Sequence, residues 1–225
     1  NMKKQIIEFY NDPDFQRLNS YYNRTTIFNI LNIERRELSH SAFLKWLFDI
    51  NGSHNFGKEP LKKLLRMLVN TDNDNILSED ILNILLIGDY EIQNFHIETE
   101  KVVESDKNKG RIDIFAKFNI FKENSEKDFK KDIIVIIENK VDSKHHDDQT
   151  TTYKEWAEKK YNESVIIPIY LTPYPENEKN EIANYFIITY QDVLEHVIEP
   201  LLNMEMDTDT KIILEDYIIN RSKNQ

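Results

Sequence analysis

Cysteine is absent from the 225 residues of this sequence. Its absence excludes disulfide bonds, metal sites built on thiolates and a thiol nucleophile. Long apolar runs are also missing, and no stretch approaches the length that a transmembrane helix needs. We also expect no secretory signal at the start of the sequence. We therefore expect a protein of the cytoplasm.

Basic residues are too few to balance the acidic ones, and the formal net charge is −11. This balance disfavours a protein that coats nucleic acid or adheres to membranes through bulk positive charge. It does not exclude an enzyme that acts on phosphate groups, because bound divalent cations invert the local charge of a carboxylate cluster.

The remaining composition is that of a globular protein, with 40% hydrophobic and 31% charged residues. The length predicts a single domain over residues 1–225. Within it we distinguish a helical N-terminal part (1–88), an αβ core (89–195) and a C-terminal helical part (196–225). Neither an internal repeat nor a low-complexity tract divides the chain.

The apolar period changes from helical spacing to alternation near residue 90. Helices are predicted over residues 5–10, 15–22, 37–50, 60–69, 78–87, 146–161, 192–199 and 208–221. Strands are predicted over residues 91–103, 111–120, 132–141, 165–171 and 185–190. Asp192 is predicted to cap the helix that ends before Pro200. Pro168 conflicts with a central strand position and predicts an edge or a bulge.

This order of elements predicts a particular sheet. Three consecutive strands with short connections form a meander, and a helical crossover then leads to a further strand. The expected architecture is an α/β fold, a mixed sheet with helices on both faces and a helical N-terminal part.

The stretch 132–153 carries the most informative residues. An apolar, β-branched run ends in Glu138, Asn139 and Lys140 without a turn signal. A strand buried on both faces rarely ends in charged residues unless they are paired or bind a metal ion. In a meander the start of the second strand lies beside the end of the third, so Asp113 is predicted to meet Glu138.

Two converging carboxylates repel one another unless a cation lies between them. Hard oxygen ligands suit Mg²⁺ or Mn²⁺, and the backbone carbonyl of Asn139 is a further candidate ligand. Lys140 is then placed to orient or deprotonate a water molecule, or to stabilise charge on a phosphate. The alternative is a plain surface ion pair of Glu138 with Lys140, which contributes about 0–1 kcal/mol. We favour two separate roles over a salt bridge.

At these positions the sequence resembles the PD-(D/E)XK nuclease superfamily, whose signature is an aspartate on the second core strand and Glu/Asp-x-Lys on the third. The signature reads Asp113 and Glu138-Asn139-Lys140 here, with Ile112 in place of the name-giving proline. The strings GRIDIF, IIENKV, DDQTTTY and YLTP, with ELSHS upstream, resemble a bacterial branch of predicted nucleases.

The resemblance covers residues 30–195 and implies a restriction-endonuclease-like fold and a nuclease that depends on Mg²⁺ or Mn²⁺. It implies catalytic roles for Asp113, Glu138, Lys140 and Gln149. It implies metal ligands among Asp113, Glu138, Asn139 and Glu37, with Glu100 as a rival to Glu37. Substrate contacts are expected from Arg111, Tyr153 and Lys109.

Nucleic acid is the implied partner, DNA before RNA, and water would displace the 3′ oxygen to leave a 5′-phosphate. The basic residues of 101–117 could line a phosphate track, or they could lie on an ordinary exposed hairpin. A homodimer and a role in restriction or phage defence are expected by analogy with the superfamily. Two alternatives stay open, a binding or regulatory module without turnover and a nuclease that acts on RNA.

His40 and the pair His145-His146 are interpreted as residues without a metal-binding role. His40 follows Glu37 by three residues on one helix face, and it is expected to bond a backbone carbonyl. The string His145-His146-Asp147-Asp148 is interpreted as a solvated helix start, because adjacent loop residues rarely bind one ion together.

Overall fold

A computed structural model gives the fold of the protein. It describes residues 2–71, 76–104, 109–123, 128–141, 147–173, 175, 182 and 184–223, with the backbone alone at 147–149. The chain divides into two compact units, which are Asn1–Glu34 with Thr208–Gln225 and Arg35–Asp207.

The elements are numbered in chain order. The helices are α1 (Met2–Tyr10), α2 (Pro13–Asn23), α3 (Ile27–Leu31), α4 (Glu37–Phe48), α5 (Glu59–Thr71), α6 (Glu79–Ile87), α7 (Asp147–Lys160), α8 (Tyr190–Val193), α9 (Glu199–Leu201) and α10 (Thr208–Lys223). A π-helical turn, Leu194–Ile198, joins α8 to α9. The strands are β1 (Glu91–Glu104), β2 (Lys109–Lys122), β3 (Phe129–Asn139), β4 (Val165–Leu171) and β5 (Phe186–Ile188). No helix in the described ranges combines the length and the apolar character needed to cross a membrane.

The first unit consists of α1, α2, α3 and α10. Asp216 of α10 accepts a hydrogen bond from the Ile27 N–H at 2.9 Å and pairs with Arg24 at 2.9 Å. The apolar pattern of the sequence does not predict the short helix α3, whose start is set by a capping box of Thr26 and Asn29. None of the described side chains of α1 and α2 is buried.

The second unit is built on a five-stranded sheet in the order β1-β2-β3-β4-β5. The first three strands form an antiparallel meander. The crossover through α7 brings β4 parallel to β3, and β5 lies parallel to β4. This topology confirms the predicted mixed sheet and the restriction-endonuclease-like α/β fold.

Side chains alternate across the sheet, and each face packs against a different helix. On one face, Ile136 and Tyr170 pack with Tyr153 of α7. On the other face, the Asn139 side chain reaches Ser41 of α4. The central strands are therefore covered on both sides, which explains the unbroken apolar run of β3.

Several element bounds differ from the sequence predictions, and two of the differences lie beside functional residues or caps. Strand β3 ends at Asn139, so Lys140 lies just past the strand. Thr189 caps α8, and Asp192 instead completes a capping box from the third helical position, so the predicted cap is wrong. The helical path also continues through Pro200, so the predicted end before this proline is wrong. Pro200 lies in the first turn of α9, after the π-helical turn, where a residue without an N–H is tolerated.

Pro168 fits the sheet without an irregularity. It pairs with Ile136 in an unbroken β3–β4 register, so the predicted bulge is wrong. The pairing of β4 with β5 begins only at Ile169, so Pro168 lies where β4 is an edge on that side. The edge alternative is therefore confirmed locally, since proline cannot donate to a strand ladder.

Thr189→Ala tests the cap of α8. The Thr189 hydroxyl accepts a hydrogen bond from the Asp192 N–H at 3.0 Å, and the alanine variant leaves that N–H without this partner. We expect the free energy of unfolding to fall by about 1 kcal/mol, measured by urea denaturation. Thr189→Ser keeps the hydroxyl and serves as the control. Equal stability of the alanine and serine variants would contradict the capping role.

Candidate active site

Asp113 and Glu138 lie at the same end of adjacent strands. The last registered pair of β2 and β3 is Ile114 with Ile137, and the two acids are the next residue on each strand. Opposed residues of an antiparallel pair project from the same face. Both acids line one cavity of about 470 Å³, so the structure brings together the two carboxylates that the sequence predicts to converge.

Three consecutive amides at the end of β3 hold the site together. The Asn139 N–H donates to Asp113 Oδ2 at 2.7 Å, and the Val141 N–H donates to Glu37 Oε1 at 3.2 Å. Between them, the Lys140 N–H donates to a carbonyl of β4 at 2.8 Å. One short segment therefore fixes a carboxylate from β2 and a carboxylate from α4.

Glu138 and Lys140 form an ion pair. Glu138 is only 4% exposed, and its Oε1 lies 2.6 Å from Lys140 Nζ. The structure therefore contains the salt bridge that the sequence analysis disfavoured. Burial explains the pairing, because a buried carboxylate without a counter-charge is strongly unfavourable.

The pKa values of the three groups depend on one another. Burial raises the pKa of the Glu138 carboxyl, and the nearby charge of Asp113 raises it further. Burial also raises the pKa of Asp113, although the Asn139 N–H and the Lys140 ammonium oppose that shift. Burial lowers the pKa of Lys140, but the carboxylates of Glu138 and Asp113 outweigh it, and the net pKa is raised. The acids repel one another, and positive charge relieves that repulsion.

The second oxygen of Glu138 is the atom that best fits a metal ion. Glu138 Oε2 is buried and has no hydrogen-bond partner within the described part of the chain. Such an atom is costly to bury, and a divalent cation shared with Asp113 would satisfy it. Across the described ranges, no three His, Asp or Glu side chains are close enough to form a metal cluster alone. An ion here would therefore also need a backbone carbonyl or water.

Glu37 and Glu100 are the two candidates for a further acid. The Glu37 charge raises the pKa values of both Glu138 and Asp113. Glu100 lies opposite Asp113 on β1 with a positive φ of 59°, but its carboxylate is paired with Arg111 Nε at 2.7 Å. Glu37 is favoured as the further acid because its charge acts on both Asp113 and Glu138, whereas Glu100 acts on Asp113 and is paired with Arg111.

Two of the predicted basic contacts, Lys109 and Arg111, line the cavity. Each pairs with a glutamate of β1 at 2.7 Å, yet their side chains remain 71% and 62% exposed. Lys101 and Lys117 instead lie over aromatic rings, and Lys107 lies outside the described residues. Among the described basic residues of the predicted phosphate track, Lys109 and Arg111 therefore lie beside the acids.

Tyr153 supports the start of β2. Its hydroxyl accepts a hydrogen bond from the Arg111 N–H at 3.1 Å, and the residue is only 3% exposed. A Cβ atom added at Gly110 would lie 2.5 Å from the Tyr153 ring. Glycine is needed at this position because the ring packs directly on the backbone.

Gln149, the string 145–148 and His40 are the remaining residues that the sequence analysis singled out. The side chain of Gln149 lies outside the described part of the chain, and so do those of residues 145–148. His40 is fully buried, and its ring meets the Tyr190 ring edge-on at 5.8 Å between centroids. This packing agrees with a structural role for His40.

The sequence analysis did not identify two residues that lie behind the site. Ser41 and Tyr190 both hydrogen-bond the side chain of Asn139. The ELSHS string contains Ser41 one turn after Glu37, which is a weak signal for a shared helix face. Nothing in the sequence places Tyr190 beside Asn139, since the two are 51 positions apart.

The sequence profile of the PD-(D/E)XK nuclease superfamily matches residues 25–218. The chain belongs to this superfamily. Membership confirms the resemblance to this superfamily, and it points to nuclease activity on nucleic acid. Superfamily members generally use divalent metals. No curated protein matches the chain, and no solved structure matches it.

Gly110→Ala tests the contact of β2 with α7. The new methyl group must displace the Tyr153 ring, so we expect a loss of about 1–3 kcal/mol in unfolding free energy. A double-mutant cycle with Tyr153→Leu is the measurement. The cost of Gly110→Ala should shrink in that background, because the clashing ring is gone. An unchanged cost would show that the contact is not the cause.

Asp113→Asn tests the charge repulsion in the site. The folded protein holds the Asp113 proton more tightly than the unfolded chain does, because the pKa is raised on folding. Ionisation of Asp113 therefore destabilises the fold progressively as pH rises above the unfolded pKa. Asparagine can still accept the Asn139 N–H, so we expect it to be more stable than aspartate by about 1 kcal/mol near pH 8.

The measurement for Asp113→Asn is urea denaturation with EDTA at two pH values. The advantage of the variant should shrink towards about pH 4.5, where the folded wild type also carries a neutral carboxyl. A difference that stays constant with pH, or one of opposite sign, would contradict the assignment.

Proposed function

We propose that the protein is a divalent-metal-dependent nuclease that hydrolyses phosphodiester bonds in DNA. The observation that carries the proposal is the buried Oε2 of Glu138, which has no hydrogen-bond partner among the described residues; the Glu138 side chain lines the same cavity as Asp113 and Lys140. Oxygen donors of this kind suit Mg²⁺ or Mn²⁺.

The residues of the site divide the work of hydrolysis. Asp113 and Glu138 would hold the ion, with the Asn139 carbonyl as a further ligand and Glu37 joined to the ion through a water molecule. Bound Mg²⁺ or Mn²⁺ supplies Lewis-acid polarisation of the phosphate and lowers the pKa of water. The Lys140 ammonium would then exchange its contact with Glu138 for the attacking water or a phosphate oxygen, where negative charge develops.

Hydrolysis at this site would follow the chemistry of the superfamily. Water attacks phosphorus in line with the 3′ oxygen, the bond from phosphorus to that oxygen breaks, and the oxygen takes up a proton. The product keeps a 5′-phosphate. Lys109 and Arg111, more than half exposed beside the acids, would bind neighbouring phosphates of the strand.

A second candidate function is a nuclease-fold module that binds nucleic acid without turnover. The intact set of Asp113, Glu138 and Lys140 opposes it, because a module without chemistry has no need to bury two repelling carboxylates. An RNA substrate is an outcome of the substrate test below. Homodimerisation and a role in restriction or phage defence stay predictions.

Lys140→Ala is the decisive variant for catalysis. We expect cleavage to fall by at least about 100-fold, because the charge that develops on the phosphate loses its counter-charge. The measurement uses purified protein with Mg²⁺ or Mn²⁺ on duplex DNA, single-stranded DNA and RNA of the same sequence. We expect the wild type to cleave DNA, and we expect EDTA to stop the cleavage.

Lys131→Ala is the matched control, since this exposed lysine lies at the other end of the same strand. It should cleave as the wild type does. Equal activity of Lys140→Ala and the wild type would refute the catalytic role. Cleavage of RNA alone would replace DNA by RNA as the substrate, and binding without cleavage of any substrate would favour the module.

A further inference from the structure

Asn139 lies between the two charged residues of its motif, yet its side chain is on the other face of the sheet. It is fully buried. Its Nδ2 donates to Ser41 Oγ at 3.0 Å and to the Glu37 carbonyl at 3.3 Å. The Tyr190 hydroxyl donates to its Oδ1. Both amide hydrogens and the carbonyl oxygen of the side chain are therefore used.

The backbone at this position faces the acids. The Asn139 N–H binds Asp113, and two residues later the Val141 N–H binds the Glu37 carboxylate. The end of β3 and the residues just after it thus contact α4 twice, through the Asn139 side chain and through the Val141 N–H. A displacement of the side chain would move the amides that fix Asp113 and Glu37.

We propose that Asn139 is a positioning residue whose buried side chain locks the end of β3 against α4 and α8. The lock sets the distance between the carboxylates of Asp113, Glu138 and Glu37. The inference rests on the proposed function, because a divalent cation is the ligand that these acids would share. Ligand groups held in place before binding lose less freedom when the ion arrives.

Tyr190, the partner of Asn139 in α8, is also held in place by contacts that do not involve Asn139. Tyr190 is 1% exposed and is the first residue of α8, whose start is fixed by the capping box of Thr189 and Asp192. Its ring also packs against the ring of His40. Removal of the Tyr190 hydroxyl alone should therefore leave the ring in place and release Asn139 Oδ1.

A purely structural role for these contacts makes a different prediction. Loss of a buried hydrogen bond lowers stability wherever it occurs. Only a positioning role also weakens the binding of the ion by protein that is still folded. Metal affinity measured without turnover therefore separates the two roles.

The experiment is isothermal titration calorimetry of the full chain with Mn²⁺ alone. We expect Tyr190→Phe and Ser41→Ala each to raise the Kd for Mn²⁺ about tenfold, with a larger effect for Asn139→Ala. The double variant Tyr190→Phe/Ser41→Ala should show less than the product of the two effects, because both act through Asn139. At saturating Mn²⁺, kcat should fall while KM for DNA is unchanged.

Tyr90→Phe is the matched control. Tyr90 is 3% exposed, and its buried hydroxyl has no hydrogen-bond partner in the part of the chain that the structure describes. This variant should bind Mn²⁺ with wild-type affinity. If Tyr190→Phe and Ser41→Ala are folded and also bind as the wild type does, the positioning role is overturned.

The titration distinguishes failure of the proposed function from failure of the positioning role. A wild-type chain that binds no Mn²⁺ refutes the metal site itself, and the positioning role falls with it. Wild-type binding with unaffected variants refutes the positioning role alone. If Asn139→Ala does not fold, Tyr190→Phe and Ser41→Ala still decide, since each removes a single hydroxyl.

Discussion

The burial of Glu138 at the end of a covered strand is the constraint on which the site depends. A carboxylate that is 4% exposed must be neutralised, and Lys140 satisfies one of its oxygens. The other oxygen is left without a partner in the described chain, next to Asp113 in the same cavity. The repulsion between the two acids does not stabilise the fold, and the proposed metal site would account for their proximity.

Backbone N–H groups hold the two neighbouring carboxylates of Asp113 and Glu37. The amides of Asn139 and Val141 each donate to a carboxylate, from β2 and α4 respectively. Such N–H groups supply fixed partial positive charge and need no reorganisation during a reaction. The sheet, α4 and α7 can therefore be understood as the scaffold that positions these two amides and the Lys140 side chain.

Local patterns in the sequence predict much of this scaffold. The bounds of β4 are predicted to the residue, and the meander, the crossover and the convergence of Asp113 with Glu138 follow from the apolar period. These features are predictable because burial imposes a period of two on every strand. The superfamily signature adds the reason for charges at the end of β3.

The remaining features depend on contacts between distant residues. The bonds from Asn139 to Ser41 and Tyr190 span 98 and 51 positions and leave no periodic trace. Helix α3 is too short for an apolar period, and its signal is a capping box alone. The pairing of Glu138 with Lys140 depends on how deeply both are buried, which the sequence does not state.

A crystal structure of the protein soaked with Mn²⁺ tests the central claim most directly, because anomalous scattering locates the ion without reference to activity. The account predicts one peak within coordination distance of both Asp113 and Glu138, with Lys140 Nζ moved away from Glu138 Oε1. A well-ordered site that shows no peak between the two carboxylates, or a peak bound elsewhere only, would contradict it.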